Sequence, residues 1–212
     1  MFCGTRETFM PTKSNKSRNF FFDGGTHFFQ GFLQFADKYE IDSSWNCYSF
    51  EANPITYQLS QSRKPSGFNI DHRLQALLDK ETLVEVHCAK EHGGDFTSQG
   101  SNVLEQVPGS DGPMGMRFDY DAERRLVQSI RFSDLLANTV KPEDFVLVKL
   151  DIEGAEFAVL DDLIETGAIL LINDLYVEFH ERFFADAGFY AAKKLQYMQI
   201  CTDAGINLQE WG

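Results

Sequence analysis

The chain has 212 residues, of which 43% are hydrophobic and 24% are charged, and this length is sufficient to bury the core of one globular domain. The formal net charge is −13, and this acidity argues against DNA or RNA as a partner because nucleic-acid binding requires lysine and arginine to neutralise phosphates. The four cysteines are widely spaced, and no apolar run reaches the roughly 20 residues of a membrane helix. We therefore expect free thiols in a cytoplasmic protein that has no membrane span.

Strands alternate with helices in the predicted N-terminal half. Residues 1–18 are polar and are predicted to form an arm that precedes one domain over 19–212. Apolar runs predict strands, and apolar residues at helical spacing predict helices. The predicted strands cover 20–23, 45–51 and 83–88, and the predicted helices cover 28–39 and 69–80.

A long segment without periodicity follows. Residues 92–117 contain six glycines and two prolines, and a loop of this length inside a compact domain is often functional. Two interpretations stay open: a lid or acceptor-contacting loop, and a variable surface excursion.

The C-terminal half continues the alternation. Strands are predicted over 145–150, 175–179 and 206–211, and helices over 133–138, 155–164 and 190–204. Strands that alternate with helices indicate an α/β fold, in which a mostly parallel central sheet carries helices on both faces.

Carboxylates follow three of the predicted strands. Asp23 ends the first strand, Glu51 ends the second, and Asp151 and Glu153 follow the strand at 145–150. Because the carboxyl ends of parallel strands meet at one edge, where open α/β sheets bind their ligands, these acids predict one polar binding rim.

Four motifs carry a resemblance to a known family. They read Phe-Asp-Gly-Gly-Thr-His at 22–27, Phe-Glu-Ala-Asn-Pro at 50–54, Lys-Leu-Asp-Ile-Glu-Gly-Ala-Glu at 149–156 and Val-Glu-Phe-His at 177–180. The chain resembles the FkbM family of S-adenosylmethionine-dependent O-methyltransferases, which have the class I, Rossmann-like fold. Two residues depart from the family pattern: Phe29 stands where the motif usually has a glycine, and His27 replaces a common asparagine.

The resemblance implies a cofactor and a class of acceptor. FkbM-like enzymes methylate hydroxyls of sugars, glycolipids and polyketides. This chain has no acyl-carrier docking region and no large hydrophobic cap, so we expect a sugar hydroxyl in a glycan or glycoconjugate. Another hydroxyl-bearing small molecule is the alternative, and the oligomeric state is left open.

The resemblance also implies the residues that bind S-adenosylmethionine. Glycines after the first strand allow close approach of the backbone, and an acid at the end of the second strand can accept both ribose hydroxyls. A further acid would lie beside the methionine ammonium, and the adenine pocket is assigned by position alone. The implied set is Asp23, Gly24, Gly25, Thr26, His27, Glu51, Asn53, Cys88, Ala89 and Asp151.

Three residues are candidates for the general base or for a group that orients it. They are Asp151, Glu153 and His180, and a neutral imidazole at His180 could take the hydroxyl proton near pH 7. Glu156 is expected to have a structural role. A divalent metal held by Asp151, Glu178 and His180 is a minority hypothesis, because strand alternation would send Glu178 and His180 to one face, away from Asp151.

Other classes of protein fit less well. A nicotinamide dehydrogenase would need Gly-x-Gly-x-x-Gly at the first turn, and residues 24–31 lack it. Amino-directed methyltransferases often have a Pro-Pro-aromatic sequence where this chain has Ile152, Glu153 and Gly154. The non-enzymatic alternative is a methyltransferase fold that serves as a binding or scaffold protein, with Phe29 closing the cofactor site.

Overall fold

The computed structural model describes residues 17–88, 101–104 and 125–212, and these form nine strands and five α-helices. The strands are β1 (Asn19–Gly24), β2 (Asn46–Glu51), β3 (Ile70–Leu74), β4 (Ala76–Leu78), β5 (Leu83–Val86), β6 (Arg125–Arg131), β7 (Phe145–Leu150), β8 (Asp174–Val177) and β9 (Asn207–Glu210). The α-helices are α1 (Gln30–Lys38), α2 (Pro54–Ser60), α3 (Phe132–Thr139), α4 (Glu156–Thr166) and α5 (Ala187–Ala204).

Six strands form a parallel central sheet in the order β3-β2-β1-β7-β8-β9. The chain runs outward from β1 to β3 on one side, and from β7 to β9 on the other. The direction of winding therefore reverses between β1 and β7, which is where folds of this kind bind ligands. The predicted α/β architecture with a parallel sheet is confirmed.

Alternation along β1 separates two hydrophobic cores. Phe20 and Phe22 face the larger core, to which α3, α4 and α5 contribute. Phe21 faces the opposite side, where its ring lies 5.4 Å from Phe32 and 5.6 Å from Phe35 of α1. Helices thus cover both faces of the sheet, which explains why the central strands are continuous apolar runs.

The predicted helix over 69–80 is wrong. This segment forms β3, an edge strand in which Asp71 is exposed and His72 and Arg73 are half-buried, and β4, which pairs with β6. Leucines at 74, 77 and 78 have helical spacing, but pairing with β2 and β6 overrides that local pattern.

The predicted strand at 83–88 is not the third strand of the central sheet. It forms β5, which pairs antiparallel with β6 in a separate three-stranded sheet of order β4-β6-β5. The sequence did not predict β6. It also did not predict α2, which Asn53 caps by accepting hydrogen bonds from the backbone of residues 55 and 56.

The C-terminal elements agree with the prediction in type. Helix α5 ends at Gly205, whose φ is +75°, as the helix-stop pattern predicts. β9 pairs in parallel with β8. Residues 1–16 of the predicted arm and most of the predicted loop at 92–117 lie outside the described residues. In the part of the chain that the structure covers, no helix combines the length and the apolar character that crossing a membrane requires.

Candidate functional site

A cavity of about 500 Å³ lies at the carboxyl edge of the sheet, beside the point between β1 and β7 where the winding reverses. This volume falls within the roughly 300–1,000 Å³ of small-molecule sites. Its lining comes from the ends of β1, β2, β7 and β8 and from the described part of the long loop. Lining residues that bear on function are Gly25, Thr26, His27, Glu51, Asn102, Lys149, Asp151, Glu153, Glu178, His180, Arg182 and Trp211.

A tight glycine turn forms one wall of the cavity. Gly25 has a φ of +73°, and a Cβ at this position would lie 1.7 Å from the carbonyl oxygen of Asp151. The amide of Asp151 donates a hydrogen bond to the carbonyl of Gly24 at 3.1 Å. Only glycine fits at position 25, because the ends of β1 and β7 are in direct backbone contact there.

Phe29 does not obstruct this cavity. Its φ is +67°, a left-handed conformation that glycine adopts most easily, which accounts for the glycine usual at this position. The side chain is fully buried in the core beside α1. Its ring lies 6.1 Å from Phe32 and 4.9 Å from His72, and the residue does not line the cavity.

Glu51 is fixed at the end of β2 and faces the cavity. Its Oε2 accepts a hydrogen bond from the amide of His27 at 2.9 Å, and its Oε1 accepts one from the amide of Asn53 at 2.8 Å. Burial raises the pKa of Glu51 to about 7, although these two hydrogen bonds oppose the increase. The carboxylate therefore has a defined orientation and retains acceptor capacity toward a ligand.

Asp23 does not line the cavity, although the resemblance implies that it belongs to the cofactor site. It is completely buried, and its Oδ1 lies 3.2 Å from Nζ of Lys149. The two residues face each other across the β1–β7 pair. Asp23 thus lies beneath the glycine turn, and Lys149 separates it from the ligand space.

Lys149 is a site residue that the sequence reasoning missed. Its Nζ donates hydrogen bonds to the carbonyls of Gly25 at 2.8 Å and Gly24 at 3.3 Å, and lies 3.5 Å from Oδ2 of Asp151. Burial lowers the pKa of Lys149, but Asp23 and Asp151 outweigh this and raise it above its ordinary value. The available signal was a lysine within the apolar run of β7, since a buried charge requires a partner.

Glu156 holds His180 in place. Its Oε1 lies 3.0 Å from Nδ1 of His180 and accepts a hydrogen bond from the backbone amide of His180 at 2.8 Å. Its Oε2 accepts a hydrogen bond from the amide of Gly154 at 2.8 Å. The expected structural role of Glu156 agrees with these contacts, which tie the start of α4 to the segment after β8.

His180 is not a free neutral imidazole. Its side chain is 1% exposed, and its Nε2 lies 3.3 Å from Oε2 of Glu153 and 3.6 Å from Oε1 of Glu178. Burial lowers the pKa of His180, but the hydrogen bond to Glu156 and the surrounding carboxylates raise it to about 9. A pKa of about 9 favours the protonated ring near pH 7, so it does not support the expected role of His180 as a neutral base.

Glu153 has a strained backbone at the rim. Its φ is +54°, which is uncommon for a residue other than glycine. Gly154 follows with a φ of +98°, and a Cβ there would lie 2.7 Å from Leu104. This turn places the Glu153 carboxylate beside His180, and strain of this kind is often found at functional positions.

Asp151, Glu178 and His180 come together. One potential ligand atom from each lies within 4.8 Å of the other two. The alternation argument against this set does not hold, because β8 ends at Val177 and residues 178–180 are no longer in a strand. Burial and the nearby Asp151 carboxylate raise the pKa of Glu178.

The cofactor residues predicted from the resemblance divide into two groups. Gly25, Thr26, His27, Glu51 and Asp151 line the cavity, as do the catalytic candidates Glu153 and His180. The predicted residues that do not line it are Asp23, Gly24, Asn53 and Cys88.

The position of Cys88 no longer supports its assignment to the adenine pocket, because β5 is not in the central sheet. It packs in a small core with Val86 and Val127. Gln75 and Ala76 follow β3, the strand that pairs with β2, and they line the cavity instead. Ala89 lies outside the described residues.

The fold and the cavity define a Rossmann-like α/β protein with a cavity at the carboxyl edge of a parallel sheet. The family model described as "Methyltransferase FkbM domain" matches residues 23–204. The chain therefore belongs to the FkbM methyltransferase family. Comparison with curated proteins and with solved structures gave no match.

Proposed function

We propose that this methyltransferase uses S-adenosylmethionine to methylate a hydroxyl group, specifically that of a sugar in a glycan or glycoconjugate. The observation that carries the proposal is the orientation of Glu51. Its buried carboxylate is held by two backbone amides and faces the cavity beside the glycine turn. A carboxylate at the end of the second strand is suited to accept both hydroxyls of a ribose.

The other cavity residues suit the remaining parts of that cofactor. Gly25 lines the cavity and presents backbone without a side chain there. Lys149 offers a cation to a carboxylate, and Asp151 offers an anion to an ammonium group. When bound, S-adenosylmethionine supplies an electrophilic methyl group on a sulfonium. The residues of the chain then have to hold the acceptor oxygen in line with that methyl and to receive the hydroxyl proton.

We assign the proton-accepting role to Glu153. Both ring nitrogens of His180 face carboxylates, Nδ1 that of Glu156 and Nε2 that of Glu153. His180 therefore orients Glu153 in this proposal. Glu153 is 22% exposed, so an acceptor in the cavity can approach it directly.

Support for a sugar acceptor comes from the outer part of the cavity. Trp211, Arg182 and Glu178 line it, and an aromatic ring beside charged hydrogen-bonding groups suits a ring with several hydroxyls. A non-sugar hydroxyl compound is the alternative acceptor. A cytoplasmic location also remains our proposal, and it agrees with the buried free thiols of Cys47 and Cys201.

Titration calorimetry with S-adenosylhomocysteine tests the cofactor assignment, with NAD as the control ligand. We expect one-to-one binding of the homocysteine compound and no heat from NAD. Glu51→Ala should abolish binding, whereas the exposed Glu40→Ala should leave it unchanged. Wild-type affinity in Glu51→Ala would refute the ribose assignment, and absence of binding to the unmodified protein would favour the scaffold alternative.

Turnover measurements on candidate sugars test the catalytic assignment. Glu153→Gln should lose turnover while it retains most of its affinity for S-adenosylhomocysteine. If Glu153→Gln turns over at the wild-type rate, another group accepts the proton.

A further inference from the structure

The cluster of Asp151, Glu178 and His180 approaches the dimensions of a metal site. One nitrogen and two carboxylate oxygens lie within 4.8 Å of one another. Ligands at about 2.1 Å from one cation lie roughly 3–4.2 Å apart in an octahedral arrangement. The residues come from the ends of two adjacent strands, β7 and β8, so the backbone holds them at this spacing.

Glu156 provides an observation independent of the acidic cluster. Metal-bound histidines commonly donate their second ring N–H to a carboxylate, which fixes the ring and directs the other nitrogen to the metal. Here Nδ1 of His180 lies 3.0 Å from Oε1 of Glu156, and both residues are almost completely buried. The opposite nitrogen, Nε2, is directed at the partly exposed carboxylates that line the cavity.

The local charge also favours a cation. Asp151, Glu153 and Glu178 all line the same part of the cavity. Lys149 lies 3.5 Å from Asp151 but is shared with Asp23, and Arg182 lies 3.8 Å from Glu178 and is half-exposed. A divalent ion at the cluster would reduce repulsion among the carboxylates.

We infer that Asp151, Glu178 and His180 bind a divalent cation that favours oxygen ligands, of the Mn²⁺ or Mg²⁺ class. Two carboxylates and one imidazole, in a cavity with room for water, suit such ions. The cation would hold the acceptor oxygen next to Glu153, which is not one of its ligands. This acceptor role rests on the proposed function, whereas cation binding itself does not.

Binding of Mn²⁺ followed by electron paramagnetic resonance tests the site without any turnover. We expect the signal of free Mn²⁺ to decrease until one ion is bound per chain. Glu178→Gln and His180→Asn should each weaken binding at least tenfold. Glu156→Gln should weaken it by roughly 10- to 100-fold, as loss of an outer-shell partner does.

Glu165→Gln is the matched control, because it makes the same acid-to-amide change at an exposed position on α4. Thermal melting of each variant establishes that it is folded. If His180→Asn does not fold, the test is made with Glu178→Gln. Failure of the unmodified protein to bind Mn²⁺, or equal affinity in Glu178→Gln and Glu165→Gln, would overturn the inference.

Titration with S-adenosylhomocysteine on the same samples separates the two proposals. Mn²⁺ binding without binding of that compound would refute the proposed function but leave the cation site. Binding of S-adenosylhomocysteine without binding of Mn²⁺ would refute the cation site alone.

Discussion

Replacement of Lys149 by methionine should destabilise the protein strongly. The substitution keeps most of the side-chain volume but leaves Asp23, which is 0% exposed, without its counter-charge. Neither carboxylate oxygen of Asp23 receives a hydrogen bond from the described residues. The ammonium of Lys149 is therefore the group that compensates the buried negative charge of Asp23 among those residues. Breaking a buried ion pair on one side costs about 3–5 kcal/mol. At about 2–4 °C per kcal/mol for a protein of this size, the melting temperature should fall by roughly 6–20 °C.

A double-mutant cycle separates the ion pair from packing. Asp23→Asn removes the buried charge, so the Asp23→Asn/Lys149→Met variant should recover at least about 2 kcal/mol relative to the sum of the single changes. Urea unfolding gives the free energies, and Lys141→Met at an exposed site should change stability by less than about 0.5 kcal/mol. Additive single changes, or a Lys149→Met variant within about 1 kcal/mol of the unmodified protein, would refute the reasoning.

Three further predictions concern Gly25, Glu51 and Phe29. Gly25→Ala should abolish S-adenosylhomocysteine binding in calorimetry and lower the melting temperature, because its Cβ would meet the backbone of Asp151. Gly167→Ala is the control: its φ is equally positive but the space around it is open, so it should lower the free energy of unfolding by only about 1–2 kcal/mol. Burial raises the folded-state pKa of Glu51 from 4.5 to about 7, so its contribution to stability is full below pH 4.5 and declines as the pH rises through 7. The stability of Glu51→Gln minus that of the unmodified protein, measured by urea unfolding, should therefore increase by up to about 3 kcal/mol between pH 5 and pH 8. Phe29→Leu should lose about 1–2 kcal/mol of unfolding free energy yet keep its affinity for S-adenosylhomocysteine within twofold, and a large loss of affinity would contradict the placement of this ring away from the cavity.

The central strands could be predicted because their signal is local. β1 and β7 are buried on both faces, so each is a largely apolar run; β1 ends in Asp23 and Gly24, and Asp151 follows β7. Their helices have continuous apolar faces, and α5 has a glycine stop. The parallel arrangement then follows from the order of the elements along the chain.

The strands at 70–78 could not be predicted in the same way. β3 is an edge strand with polar residues between its apolar ones, and β4 has only three residues. Their pairing depends on β2 and on β6, and the partner β6 lies about 50 residues further along the chain. A leucine spacing that also fits a helix was the stronger local signal, and it gave the wrong element.

The site residues show the same division between local and distant information. The positions of Glu51 and Gly25 at the cavity could be predicted because strand ends and tight turns are visible in the sequence. The role of Lys149 depends on its register opposite Asp23, and the state of His180 depends on Glu156, 24 residues away. Such contacts between segments determine which acids face the ligand and which lie beneath it.

Two buried charge pairs support the cavity from below. Asp23 and Lys149 join β1 to β7 under the glycine turn, and Glu156 holds His180 under the rim formed by β7 and β8. Each pair places a group at the cavity surface: Lys149 beside Asp151, and His180 beside Glu153. Because the supporting carboxylates are almost fully buried and the cavity-facing ones are partly exposed, the former can fix geometry while the latter exchange water for a ligand. Variants of Asp23 and Glu156 should therefore disturb ligand affinity together with stability, whereas variants of Glu153 should disturb turnover alone.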